Sequence, residues 1–212
     1  VTFAVDATTG DHAAVGADPA AADQVVDVVV DLPRVMASPM EPMAAAAIHD
    51  GDTDSFDLWT PHQGHPEVQR PLAAVLGLAP ERLRVHALDV GGAFGSRGPA
   101  YPEHAALLLA ARALGRPVAW RATRSETVQA EAHGRGNRLT ARLGVDADGT
   151  FRAIALSFEA DLGAWVTPVG AHIHAKNAPA SVTGCYRIPS AAVRVVQRFS
   201  NTVPTGPYRG AG

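Results

Sequence analysis

The spacing of apolar positions changes several times along the chain, and each change marks a predicted element. Gln24 to Leu32 is a continuous β-branched run, with valines at 25, 26, 28, 29 and 30, and reads as a buried strand. Met43 to His49 is a second apolar segment. Asp50 to Asp54 has the composition of a hairpin turn, and Phe56 to Thr60 alternates as a strand does. From Glu67 to Gly77 the apolar residues Val68, Leu72, Val75 and Leu76 fall at helical spacing, with Pro71 expected to kink the helix or delay its start. Leu83 to Val90 is strand-like and ends abruptly in glycines. The strongest helix, Glu103 to Leu114, begins after Pro102 at a first-turn position and stops at Gly115. Val118 to Trp120 is a short strand. Asn137–Val145 and Phe151–Asp161 flank Asp146-Ala147-Asp148-Gly149, which predicts an antiparallel hairpin. Val193 to Phe199 is a last strand, whereas Gly163 to Pro179 shows no clear period. Near the start, turn residues stand at Thr9-Gly10-Asp11 and Gly16-Ala17-Asp18-Pro19, followed by a short helix over Pro19 to Asp23. Hairpins mixed with helices predict an α+β fold of mixed sheets and packed helices.

Composition narrows the function classes. Apolar residues make up 47% and charged residues 18%, a globular balance. A formal net charge of −3 gives no electrostatic reason to expect nucleic acid or an anionic membrane as partner, and no apolar run is long enough to span a bilayer. The single cysteine, Cys185, rules out a disulfide framework or a CxxC metal site within the chain and reads as a small buried hydrophobe. His62 and His65 are spaced to share a helix face, and His172 and His174 to share a strand face. Neither pair has a further ligand at zinc spacing, so no side chain is assigned as a metal ligand. Ser96 is outside any G-x-S-x-G elbow. Glu41, between two prolines, is expected to be partly buried and held by a structural hydrogen bond. The chain starts at Val1 without methionine and stops within Gly210-Ala211-Gly212, so it is expected to be a piece of a longer polypeptide.

The stretch around which the chain is organised is Asp89-Val90-Gly91-Gly92-Ala93-Phe94-Gly95-Ser96-Arg97-Gly98. Glycines there permit positive φ or close approach to bare backbone, and successive N–H groups ahead of a helix can cradle an anion. A plain strand-to-helix connection remains the alternative. No Gly-Lys-Ser/Thr follows, and the glycine spacing is not that of a dinucleotide fingerprint. Two other loops resemble it: Thr60-Pro61-His62-Gln63-Gly64 and Pro207 to Gly212. Each of the three follows a strand-like run and carries one functional side chain among small residues, namely Gln63, Phe94 and Arg209.

The order of motifs resembles the molybdopterin-binding large subunit of the xanthine dehydrogenase, aldehyde oxidase and carbon monoxide dehydrogenase family of molybdenum hydroxylases. The motifs are Pro39-Met40-Glu41-Pro42, Leu58-Trp59-Thr60-Pro61-His62-Gln63, Asp89 to Gly95, Gly115-Arg116-Pro117-Val118, His133-Gly134-Arg135, Leu143 to Gly149, Tyr186-Arg187-Ile188-Pro189 and Asn201 to Gly212. The resemblance implies that residues 1–212 are part of a molybdopterin-binding domain, without the family's N-terminal hammerhead domain or its C-terminal cofactor-binding part. It implies that Gln63 hydrogen-bonds a metal-bound oxygen, that the loop Gly92, Ala93, Phe94 and Gly95 closes over the metal ligands with backbone N–H groups, and that Arg209 sits at the metal. Gln63, Phe94 and Arg209 are thereby the catalytic residues, and together with Gly92, Ala93 and Gly95 they bind the cofactor.

The implied cofactor is molybdenum on molybdopterin in its cytosine dinucleotide form, with iron–sulfur clusters and FAD on partner subunits. The implied reaction is cytoplasmic hydroxylation of an aldehyde or N-heterocycle with oxygen from water. The remainder of the large subunit is a further expected partner, and the isolated chain is expected to be inactive, since the family's glutamate base lies far towards the C-terminus. Departures from the family pattern refine the expectation. Ala93 replaces a glycine, which is mild if φ is negative there. Gly98 stands where purine-oxidising members carry a glutamate, and Gly210 where carbon monoxide oxidisers carry a cysteine. A non-catalytic stand-alone α+β module that binds no metal is the alternative.

Overall fold

The computed structural model describes residues 2–10, 18–167 and 169–210. In chain order the strands and helices are β1 (Thr2–Gly10), β2 (Gln24–Val35), β3 (Ala44–Asp50), β4 (Ser55–Trp59), α1 (His65–Leu76), β5 (Leu83–His86), α2 (Pro102–Leu114), β6 (Val118–Arg121), α3 (Arg124–Ala130), β7 (Gly134–Val145), β8 (Phe151–Gly163) and β9 (Ser190–Phe199). Single 3₁₀ turns cover Pro19–Ala21 and Pro80–Arg82, and Gly170 to Ser181 is helical with a π-helical stretch over Ile173–Asn177. The fold class is α+β, as the mixed periodicities predict. The chain divides into two compact units, one comprising Val1–Val35, His133–Thr205 and Gly210–Gly212, the other Met36–Ala132 and Gly206–Arg209.

The first unit is a five-stranded sheet in the order β1-β9-β8-β7-β2. The β7–β8 hairpin forms where the sequence places it. Asp146 accepts the Gly149 N–H at 2.8 Å, and Gly149 takes a φ of 85° that glycine tolerates without strain. Leu156, Val193 and Val195 make the buried core of this sheet. Strands β8 and β9 run parallel, which requires a long crossover. The helical segment Gly170–Ser181 lies within that crossover, and Gln197 Nε2 donates to Ala171 O at 2.7 Å to hold it. Its π-helical stretch explains why Gly163 to Pro179 shows no 3.6-residue period. His172 and His174 therefore lie on a helix and not on a strand face.

Two expectations for this unit are corrected. The valine run is a strand, but it is the sheet edge, and Val25, Val26, Val28 and Val29 are 40–56% exposed rather than buried. A continuous apolar run encodes strand propensity without saying how many neighbours cover it. Cys185 is exposed. The turn residues expected at positions 11 to 17, and Ala211 and Gly212 of the last motif, lie outside the described residues. The pattern gave no warning of β1.

The second unit is a four-stranded sheet in the order β5-β4-β3-β6, with β3 antiparallel to both β4 and β6 and β4 parallel to β5. Helix α1 is the crossover between the parallel strands. Its Val68 and Leu72 are buried in one core with Phe56, Leu58, Leu83, Val85, Leu107 and Leu108. The small residues Ala45 and Ala47 on β3 belong to the same core, which lets helix and sheet approach closely. Helix α1 begins at His65, so Pro71 neither delays it nor ends it but sits inside it. Gly77 and Gly115 terminate α1 and α2 in the left-handed conformation. Strand β5 stops at His86, short of the expected Val90. Trp59 is the last partner on β4, and the chain there turns away at Pro61, which has no N–H to offer.

Candidate functional site

Gln63, Phe94 and Arg209 all lie in the second unit, together with the loops that carry the first two and residues Gly206–Arg209 of the third. The glycine loop is gripped at its start by Glu41, whose N–H donates to Gly91 O at 3.1 Å and whose Oε2 accepts from Gly91 N at 2.8 Å. The expected structural hydrogen bond of Glu41 is this one. Beyond it the backbone is contorted, with φ of 111° at Gly92, 54° at Phe94 and 107° at Gly95, whereas Ala93 is not among the positive-φ residues. Alanine in place of the usual glycine therefore costs no backbone strain. A non-glycine residue at positive φ does cost something, and Phe94 is held there by its neighbours.

Gln63 meets the loop directly. The Gly95 N–H donates to Gln63 Oε1 at 2.8 Å, and the Gln63 N–H donates to Arg97 O at 3.0 Å. A backbone N–H can only donate, so it fixes the amide with oxygen towards Gly95 and leaves Nε2 as a donor. The third loop closes on the same place. A Cβ on Gly95 would lie 2.6 Å from Pro207 O, so only glycine admits this approach. Arg209 N donates to Phe94 O at 3.0 Å, and the guanidinium lies 4.5 Å from the centroid of the Phe94 ring. The structure thus brings Gln63, Phe94 and Arg209 together, with Gly92, Ala93 and Gly95 between them.

Beneath the loop lies a polar layer that sequence reasoning did not find. Tyr101 Oη donates to Ser96 O at 2.7 Å, and the Ala132 N–H donates back to Oη at 3.3 Å. The Tyr101 N–H donates to His104 Nδ1 at 3.3 Å, which places the imidazole proton on Nε2. Nε2 then donates to Thr60 Oγ1 at 3.2 Å, and the Thr60 hydroxyl donates to Ala44 O at 3.1 Å. Burial pushes the His104 pKa down to about 4, with the Arg97 charge adding to the effect. Burial pushes the Tyr101 phenol up, and the Glu131 carboxylate adds to that. Arg97 and Glu131 are themselves buried, 3.6 Å apart between Nε and Oε1, and Arg97 Nη2 donates to Glu41 O at 2.9 Å. Ser96 and Arg97 lie in the glycine stretch and Thr60 and Glu41 in motifs, but no pattern in the sequence singles out Tyr101, His104 or Glu131.

The donor set decides what the loops can hold. Among the described residues, the N–H groups of Gly92, Ala93 and Phe94 have no protein acceptor. They stand beside the Gln63 amide and the Arg209 cation. Bare N–H groups, an amide donor and a guanidinium fit an oxygen-rich anionic group such as a phosphorylated, oxo-bearing cofactor. No group of three metal-ligating side chains occurs among the described residues. A separate open groove, lined by Trp59, His86, Leu88 and Asp89 among others, contains none of the three.

The family model described as molybdopterin cofactor-binding domain matches residues 2–212. The large subunit of nicotine 6-hydroxylase from Paenarthrobacter nicotinovorans is 31% identical over 193 residues, covering 90% of this chain and 24% of that protein. The carbon monoxide dehydrogenase large chain of Hydrogenophaga pseudoflava is 30% identical over 202 residues, covering 93% of this chain and 24% of that protein. Quinoline 2-oxidoreductase from Pseudomonas putida 86 superposes with a TM-score of 0.87 at 29% identity, over 99% of this chain and 26% of that one. The chain spans about a quarter of the length of the relatives it matches. Motif order, loop geometry and these matches together make the chain a member of the molybdopterin cofactor-binding domain family, to which the large subunits of xanthine dehydrogenase-type and carbon monoxide dehydrogenase-type oxidoreductases belong.

Proposed function

We propose that this chain is the part of an oxidoreductase large subunit that grips the molybdenum end of a molybdopterin cofactor, in an enzyme that hydroxylates an aldehyde or an N-heterocycle. The observation that carries the reading is the Gly95 N–H to Gln63 Oε1 hydrogen bond, which leaves an amide donor beside a loop of unpaired N–H groups. Gln63 Nε2 and the N–H groups of Gly92, Ala93 and Phe94 would hold the cofactor's oxygen-rich end, and Phe94 would shield it from water. Arg209, braced on the Phe94 ring, supplies fixed positive charge where negative charge develops. When bound, the cofactor supplies the redox chemistry, in which oxygen from water replaces hydrogen on an electron-poor carbon and two electrons leave. The same reading takes the pterin as its cytosine dinucleotide, iron–sulfur and FAD subunits as the electron path, the rest of the large subunit as structural partner, and the cytoplasm as location.

Gly210 argues for a substrate larger than carbon monoxide. Copper(I) demands a soft thiolate ligand, and glycine provides no side chain at all. Gly98, where purine oxidisers carry a glutamate, argues against purines. The test is an assay of the assembled enzyme with carbon monoxide, benzaldehyde and a simple N-heterocycle as alternative reductants, with metal and nucleotide analysis. Molybdenum, cytidine monophosphate released on hydrolysis, and turnover of the aldehyde or heterocycle are expected. Copper together with carbon monoxide turnover would refute the substrate class, and a purified enzyme without pterin would refute the reading altogether.

A further inference from the structure

We infer that Arg97 and Glu131 are a buried positioning pair that closes the glycine loop into a ring and thereby sets Gln63. Both ends of the loop are tied to Glu41. Gly91 is held by the Glu41 backbone and carboxylate, and Arg97 by the 2.9 Å hydrogen bond from its Nη2 to Glu41 O. The Arg97 carbonyl in turn accepts the Gln63 N–H at 3.0 Å. One residue therefore joins three segments: the Pro39–Pro42 turn, the loop that carries Gln63, and the glycine loop itself.

Glu131, at the C-terminal end of α3, faces Arg97 from the buried side. It is fully buried, and neither carboxylate oxygen has a hydrogen-bond partner, nor does Arg97 Nε. At 3.6 Å the pair is too long for a hydrogen bond, so its attraction does little against the cost of removing two charges from water. An apolar pair of similar volume would suit stability alone at least as well. What an apolar pair could not do is hold the Glu41 carbonyl and orient the Arg97 backbone towards Gln63.

Functionally the inference rests on the reading that this loop grips the cofactor, but its direct test needs no cofactor. Amide hydrogen exchange measured by NMR on the full chain reports the N–H groups of Gln63, Gly95 and Arg209, all bonded within the site. The double variant Arg97→Met/Glu131→Leu removes both charges together, so it should melt within a few degrees of the parent. Exchange at Gln63 and Gly95 should quicken roughly tenfold or more, while core amides of β4 stay as protected as before. Arg97→Lys, which keeps the charge and one donor to Glu41 O, should retain most of the protection. If the double variant fails to fold, Arg97→Gln/Glu131→Gln carries the same test, since it also removes both charges, keeps polar side chains, and leaves residue 97 too short to reach Glu41 O. Unchanged exchange at Gln63 and Gly95 in the folded variant would overturn the inference. Pterin retention, measured on the parent and variants isolated from cells that make the cofactor, is scored separately. A parent without pterin refutes the functional reading and leaves the exchange result to decide the positioning role.

Discussion

At the scale of single residues, two side chains make opposite demands on their surroundings. In the proposed function Arg209 acts as a charge, with its guanidinium 4.5 Å from the centroid of the Phe94 ring. In the assembled enzyme Arg209→Ala should therefore lower kcat by at least about tenfold while KM changes less, a split that steady-state kinetics on an aldehyde or heterocycle reads directly. His104 is useful as a neutral ring. Its pKa is depressed from an ordinary 6.5 to about 4, chiefly by burial. A histidine held neutral stabilises the fold fully above about pH 6.5, and that contribution is lost as pH falls towards 4, because the unfolded chain then binds the proton more readily. The difference amounts to about 3 kcal/mol by order of magnitude. His174, buried in the first unit and also lowered to about 4, acts in the same direction. Thermal unfolding should accordingly move to lower temperature between pH 6.5 and 4. Invariant melting over that range would contradict the neutral His104–Thr60 bond.

At the scale of elements, propensity and turn chemistry account for most of what forms. Pro102, Gly115 and the apolar spacing of α2 made that helix legible, as Asp146 to Gly149 did for the β7–β8 hairpin. Helix α3 was overlooked although its signature was present. Thr123 Oγ1 accepts the Glu126 N–H at 3.2 Å, and Glu126 Oε2 accepts the Thr123 N–H at 2.6 Å, a capping box readable as Thr-x-x-Glu. Only seven residues follow the cap, too few to establish a period, so the box was the sole signal. So short a helix depends on its cap, and Thr123→Ala should destabilise the second unit by about 1 kcal/mol in urea unfolding. Because Thr127 Oγ1 in the middle of α3 receives the Met43 N–H at 3.4 Å, the loss should also loosen that strand lead-in. The helical segment Gly170–Ser181 had no such signature, since a π-helical stretch and Pro179 erase the period.

At the scale of the whole molecule, the edge strand β2 is the feature most at odds with a water-facing surface. It presents Val25, Val26, Val28 and Val29 exposed beside unpaired backbone groups, the arrangement that invites strand addition and aggregation. Replacing Val26 and Val29 by lysine should raise the soluble concentration of the chain severalfold with little change in melting temperature, as light scattering and thermal unfolding would show. A large drop in melting temperature would mean that these valines are part of a packed core after all. The sequence by itself determined most of the element types, the α+β class and the identity of the three loops, because period, turn residues and motif order are local and survive without contacts. Burial was not local: a valine run reads alike in a covered strand and at an edge, and only sheet order separates them. Nor could spacing show that Gln63, Phe94 and Arg209 meet. That required the parallel β4–β5 pair to deliver two loops to one end of the sheet, and Gly95 to admit Pro207. The layer of Arg97, Tyr101, His104 and Glu131 was decided by tertiary structure alone, since a buried polar group is specified by the partners that surround it and not by any pattern in its own neighbourhood.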